Sequence, residues 1–208
     1  MSKSLSASQV LTIKNETIAL EGIWGDCIGE MDSRGFVFIW GQSGNGKSSA
    51  VMSFCKELVR FGKVLYLSQE EGFSLSMQNT LRRFAMTEVG RAFQMKARCS
   101  YEELVEILAK PKSPRIAVID SVQEMELTYK QFRELGERFP KKLFVLVSQA
   151  DGKQPLGRPA GRMKYFSGLK LWVEGYTVFS KGRFIGPTGR AVIWEEGARD
   201  YWGGVMVQ

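Results

Sequence analysis

Two features of this chain have the residue types and spacing for phosphoryl chemistry: a glycine-rich run, and three carboxylates at the ends of apolar stretches. Gly41-Gln42-Ser43-Gly44-Asn45-Gly46-Lys47-Ser48 fits the pattern G-x-x-x-x-G-K-[ST]. Glycines at these positions let successive backbone N–H groups turn inward around a polyphosphate, and a following helix adds the partial positive charge of its N-terminus. Lys47 would reach the β- and γ-phosphates, the Ser48 hydroxyl would ligate Mg²⁺, and Ser49 closes the set of nucleotide contacts. Asp120 ends the apolar run Ile116-Ala117-Val118-Ile119, where a carboxylate can hold Mg²⁺ directly or through water. Glu70 and Glu71 follow the run Val64-Leu65-Tyr66-Leu67-Ser68, where one of them could polarise water for in-line attack on a γ-phosphate. Gln149 ends Leu143-Phe144-Val145-Leu146-Val147-Ser148 and could sense that phosphate by hydrogen bonding.

The elements that must position these groups are legible in the apolar pattern. Phe36-Val37-Phe38-Ile39-Trp40 predicts a buried strand leading into the glycine loop. Ser49 to Phe61 predicts a helix with Val51, Phe54, Cys55, Leu58 and Val59 on one face, stopped at Gly62. Lys63 to Ser68, Arg115 to Asp120 and Leu143 to Gln149 predict three further buried strands, and Phe93 to Ala97 a short one. Helices are expected over Ser74 to Phe84, from a capping box at Ser100-Tyr101-Glu102-Glu103 through Leu108, and from about Thr128 to Phe139. Strands alternating with helices define an α/β class with a mainly parallel sheet and a ligand site at the strand C-termini.

Two regions read differently. Residues 150–167 combine Gly152, Gly157, Gly161, Pro155 and Pro159 with Lys153, Arg158, Arg162 and Lys164, and predict a flexible basic loop ending in Tyr165-Phe166. Beyond it, Leu169 to Val173, Tyr176 to Ser180 and Ala191 to Trp194 predict short antiparallel strands added at the sheet edge. Residues 1–10 are serine-rich and aperiodic and predict a mobile tail; residues 11–208 are expected to form one domain, its first part, 11–35, covering a sheet edge.

Composition narrows the chemistry. There is no histidine, which removes a histidine general base, a histidine-based triad and the common zinc sites. Cys27, Cys55 and Cys99 are odd in number and far apart, as expected of reduced thiols. A net charge of +7 permits an anionic partner. No apolar run approaches a membrane span, and the first residues lack the apolar core of a signal peptide, so the expected location is the cytoplasm with no membrane partner.

In this order the motifs resemble the RecA-like P-loop ATPase core. Ile119-Asp120-Ser121-Val122-Gln123 is similar to bacterial RadA recombinases, and Ser148-Gln149 after its apolar strand to DnaB-type replicative helicases. Lys181-Gly182-Arg183-Phe184-Ile185-Gly186-Pro187-Thr188-Gly189 resembles the Lys-x-Arg-Asn-Gly-Pro-x-Gly segment of those helicases, with Phe184-Ile185 in place of the Asn. The resemblance covers about residues 30–195, without the zinc finger, protease-like domain or N-terminal collar of those families, so a bare motor core is expected. It implies ATP and Mg²⁺ as cofactors and Glu70, aligned on the helicase Ser-Leu-Glu, as the catalytic acid, with Glu71 as runner-up. Lys181 and Arg183 become basic fingers acting in a neighbouring subunit's site, within a hexameric ring or a filament. Lys153, Arg158, Arg162 and Lys164 become contacts to single-stranded DNA, in a recombinase or helicase-like motor. A KaiC-like regulatory or scaffolding ATPase, acting on protein partners without DNA, is the alternative. A small-molecule kinase fits less well, having no place for the fingers.

Overall fold

The computed structural model describes residues 4–203, so the first three and last five residues of the expected tail and domain lie outside the described region. The chain forms α1 (Ala7–Leu11), β1 (Thr17–Ala19), α2 (Gly22–Cys27), β2 (Glu30–Asp32), β3 (Gly35–Gly41), α3 (Lys47–Leu58), β4 (Val64–Ser68) and α4 (Leu75–Arg83). It continues through β5 (Phe93–Ala97), α5 (Tyr101–Ala109), β6 (Ile116–Asp120), α6 (Tyr129–Arg138), β7 (Leu143–Asp151) and β8 (Gln154–Pro155). The last elements are α7 (Arg158–Phe166), β9 (Leu169–Glu174), β10 (Thr177–Ser180), β11 (Arg190–Val192) and α8 (Glu195–Trp202).

One sheet carries the order β11-β10-β9-β3-β7-β6-β4-β5, with β8 paired to the end of β7. β5, β4, β6, β7, β3 and β9 run parallel, and β10 and β11 are antiparallel additions. The period of two along β3 divides the interior into two cores. Val37 and Ile39 pack with Val51, Phe54, Cys55 and Leu58 of α3, while Phe38 and Trp40 pack with α5, α6 and α7. Each fully buried side chain of this kind contributes about 1.5–3 kcal/mol relative to exposure, so the two cores hold the sheet rigid between its helix layers. Helix starts are set locally: Ser100 and Thr128 form capping boxes with Glu103 and Gln131, and the Ser74 side chain caps α4.

Two expectations need correction. Residues 150–167 are not a flexible loop: β7 runs on to Asp151, turns at Gly152 (φ 57°) into β8, and α7 follows Gly157. That helix buries only Ala160 and Met163, and Pro159 sits in its first turn where its missing N–H costs nothing, so no apolar period reveals it. β9 is not an antiparallel edge strand. It lies parallel to β3, next to the centre of the sheet, because α7 provides the crossover that a loop could not. Within the first ten residues, Ser6 and Gln9 form a capping box that starts α1, although that helix buries nothing. Residues 11–35 fold as the β1–β2 pair around α2, whose Trp24 and Cys27 join the core on the α3 face.

Candidate nucleotide site

The glycine loop joins the C-terminal end of β3 to α3, whose first residue is Lys47. Gly46 caps the helix at φ 86°, and a Cβ there would come within 2.7 Å of the Tyr176 ring, so only glycine fits. A Cβ on Gly41 would meet the Val173 carbonyl at 2.5 Å, because β9 passes directly beside it. The first-turn N–H groups of α3 therefore open toward a pocket of about 300 Å³ lined by Ser43, Gly44, Gly46, Lys47, Ser48, Ser49, Glu70, Glu71, Asp120 and Tyr176.

The acids come from neighbouring strands. β4 and β6 are in register with Ser68 opposite Asp120, and Gln69 N donates to the Asp120 carbonyl at 2.7 Å. The Gln69 amide closes a clamp with Cys99 at the end of β5, accepting from Cys99 N at 3.0 Å and donating to the Cys99 carbonyl. That clamp fixes the backbone immediately before Glu70 and Glu71. At the floor of the pocket the Tyr66 hydroxyl donates to Asp120 Oδ2. Burial raises the Asp120 pKa above its ordinary value, against the lowering effects of the Tyr66 hydrogen bond and the Lys47 charge. Glu71 Oε2 is buried and has no hydrogen-bond partner among the described residues.

These donors suit a hard cation. The hydroxyl of Ser48 and the carboxylates of Asp120 and Glu71 line one pocket and are oxygen donors of the kind a hard cation takes, and the orphaned Glu71 oxygen is an acceptor that a metal-bound water would satisfy.

Other expected residues lie elsewhere. Gly41, Gln42 and Asn45 do not line the pocket. Asn45 instead anchors the β9–β10 turn, its Oδ1 accepting from Gly175 N at 2.8 Å and its carbonyl from Tyr176 N at 3.1 Å. Gln149 stands beside Gly41 in the β3–β7 register. Lys181 and Arg183 do not line the glycine-loop pocket of their own chain. Lys181 N donates to the Lys170 carbonyl and Arg183 N to Gly168, next to Phe36 at the other end of β3. Five residue steps along β3 separate Phe36 from Gly41, or about 16 Å.

Of the four basic residues of 150–167, Arg158 is exposed at the first position of α7 and the other three divide into two groups. Arg162 stacks over Tyr129 of α6 at 3.7 Å, on the outer helix layer. Lys164 Nζ lies 4.2 Å from the Trp40 ring centre, and Lys153 lines the same cleft as Trp40.

Sequence reasoning missed the residues beyond the phosphates. Ser49 and Tyr176 also line a second cleft of about 700 Å³, with Arg83, Phe84, Ile193 and Trp194. Tyr176 and Trp194 meet edge to face with centroids 4.8 Å apart, and Arg83 Nη1 donates to Ser49 Oγ at 3.2 Å. These aromatic and cationic groups come from α4, the β9–β10 turn and the segment after β11, and no spacing in the sequence marks them; the 49 % exposure of Trp194 emerges only in the fold. Gln123, quoted above only as part of a motif, ties the strand ends together: its Nε2 donates to Ser148 Oγ and the Leu156 carbonyl, both at 2.8 Å, and its Oε1 accepts from Gln149 N.

No protein-family model and no curated protein matches the chain. Solved structures do. The flagellar accessory protein FlaH from Methanocaldococcus jannaschii aligns with a TM-score of 0.57 at 11% identity, over 83% of this chain and 88% of its own. The KaiC-like protein PH0186 from Pyrococcus horikoshii OT3 aligns with a TM-score of 0.57 at 16% identity, over 86% of this chain and 99% of its own. At such identity the likeness is one of fold: an α/β, RecA-like P-loop architecture with a mainly parallel sheet and antiparallel strands at its C-terminal edge. Among the described residues no helix is long and apolar enough to cross a membrane.

Proposed function

We propose that this chain is an ATPase that binds ATP with Mg²⁺ in the glycine-loop pocket and hydrolyses it in an assembly of identical copies. The observation that carries this reading is the meeting of Lys47, Ser48, Asp120 and Glu70 in one pocket at the N-terminus of α3. Backbone N–H groups and Lys47 hold the triphosphate, and Ser48 and Asp120 hold the metal. Mg²⁺ bound there supplies neutralisation of the phosphate charge. Glu70 accepts a proton from the attacking water and orients it, with Glu71 as the other candidate acid. The base and ribose extend past Tyr176 into the cleft formed by Arg83 and Trp194. Neither Lys181 nor Arg183 lines the pocket of its own chain, which leaves Arg183, held beside Gly168 at the far end of β3, for a neighbour's site.

The assembly engages single-stranded DNA in this reading. It is supported by the net charge of +7 and by Lys153, Arg162 and Lys164 lying among aromatic side chains, with Arg158 exposed at the start of α7. The second reading, a KaiC-like ATPase acting on protein partners, is favoured by the ordering of residues 158–166 into a helix and by the likeness to a KaiC-like fold. Nucleotide-dependent retention of the protein on an immobilised single-stranded oligonucleotide separates them. Retention that weakens steeply with added salt, and is lost when the four basic residues are reversed to Glu, is the expected result. No retention at low salt transfers the assignment to protein partners.

A further inference from the structure

A cleft of about 320 Å³ opens on the sheet face opposite α3, and the nucleotide pocket does not use it. Three rings from adjacent strands line it: Trp40 of β3, Trp172 of β9 and Phe179 of β10, with Trp40 and Trp172 centroids 5.4 Å apart. Three ammonium groups line it as well. Lys153 comes from the β7–β8 turn, Lys164 from α7, and Lys181 from the segment after β10. None of the three has a carboxylate partner among the ion pairs of the described residues. Among the described residues the one acid in the cleft is Glu174, which accepts from Trp172 Nε1 at 2.9 Å.

Lys164 is the informative member. Its charge is half-buried over the Trp40 ring, and its polar contact is the neutral Gln154 Oε1 at 3.1 Å. Burial lowers its pKa, as does the Lys170 charge, so the fold holds this cation at a desolvation cost, against the Trp40 ring and without an ion pair among the described residues. An ordinary surface lysine would turn to solvent. A ligand that places a phosphate among Lys153, Lys164 and Lys181 removes that cost, and a planar base can lie against the partly exposed Phe179 ring, since Trp40 and Trp172 are buried beneath it.

We propose that this cleft is a second nucleotide-binding site, taking a nucleobase with its phosphate. The unit is either a free nucleotide or one residue of a single strand. Only the single-strand source rests on the nucleic-acid reading given above. Stacking on aromatic rings with lysine contacts to phosphate is sequence-tolerant, so any base is accepted.

The test uses the full chain with its glycine-loop pocket saturated by a non-hydrolysable ATP analogue and Mg²⁺. Thymidine monophosphate is titrated by calorimetry, and a fluorescein-labelled dT oligonucleotide by anisotropy, against wild type and the double variant Lys153→Ser/Lys164→Met. Circular dichroism confirms the variant's fold; should it not fold, Lys153→Glu alone on the exposed turn replaces it. Binding of either probe, weakened at least tenfold in the variant, is the expected result. A 5-bromodeoxyuridine oligonucleotide should also photo-crosslink to Trp172 or Phe179. Mononucleotide binding without oligonucleotide binding keeps the cleft and removes the nucleic-acid reading. Oligonucleotide binding unaffected by the variant, with crosslinks elsewhere, removes the cleft and keeps that reading. Wild type that binds neither probe overturns the site.

Discussion

The hydroxyl of Tyr66, buried on β4, donates a hydrogen bond to Oδ2 of Asp120 at the end of β6. The acid proposed to hold Mg²⁺ is thus oriented by a side chain from the strand that leads into Glu70 and Glu71. A hydrogen bond to a charged group contributes about 1.5–3 kcal/mol. Tyr66→Phe should lower unfolding stability by an amount of that order and raise the Mg²⁺ needed for half-maximal ATPase several-fold. Thermal melts and a Mg²⁺ titration measure both, and an unchanged titration would mean that Asp120 is positioned without Tyr66.

Lys47 is the first residue of α3 and faces the phosphate pocket. Lys47→Ala should abolish ATP hydrolysis and weaken ATP binding strongly, since no other lysine or arginine lines that pocket. Calorimetric titration with an ATP analogue and a phosphate-release assay check it. Wild-type turnover in this variant would remove the glycine loop from the mechanism.

Glu70 and Glu71 share the pocket, and the amide substitution separates them. Glu70→Gln keeps the side-chain shape, loses the base, and should retain ATP binding while turnover falls by about 10²–10⁴-fold. Should Glu71→Gln be the silent enzyme instead, the buried, unpartnered Glu71 Oε2 marks the group that takes the proton.

Arg183 is held beside Gly168, at the end of the sheet remote from its own glycine loop. Arg183→Ala should bind ATP normally and hydrolyse it poorly. Mixing it with Glu70→Gln should restore activity at interfaces that pair an intact Glu70 with an intact Arg183. The specific rate of wild type should rise with protein concentration until assembly saturates. A concentration-independent rate without rescue on mixing would place the fingers outside the reaction.

All three thiols are buried, and burial pushes Cys27 up to about 12, Cys99 up to about 11, and Cys55 up further. Because the folded pKa values lie above the unfolded ones, their contribution to stability is complete below the unfolded pKa of 9.0 and is lost as pH rises toward the folded values. The melting temperature should therefore fall above about pH 9. Iodoacetamide at pH 8 should label the cysteines only when denaturant is present. Rapid labelling of the native protein would contradict their burial.

The parts of this protein that the sequence determines by itself are those encoded within one segment. The glycine loop, the apolar strands β3 to β7 and the capping boxes at Ser100 and Thr128 rest on spacing between near neighbours, since backbone dihedrals and side-chain period are local properties. The placement of acids at strand ends follows equally, because parallel strands in an α/β sheet bring their C-termini to one edge.

What only the tertiary structure decides is which distant segments meet. The short apolar run 169–173 reads as a strand, but its place beside β3 depends on α7, whose two buried residues leave almost no period in the sequence. That placement seats Tyr176 against Gly46 and Trp172 against Trp40, residues more than 100 positions apart. It also separates Lys153 and Lys164, gathered over Trp40, from Arg162 on Tyr129, although all three come from one basic stretch. A helix sends residues of similar sequence position to different faces, and a sheet joins residues of remote position at 4.7–4.9 Å between strands. Neither effect is visible along a single chain, so the second cleft and its cations belong to the fold alone.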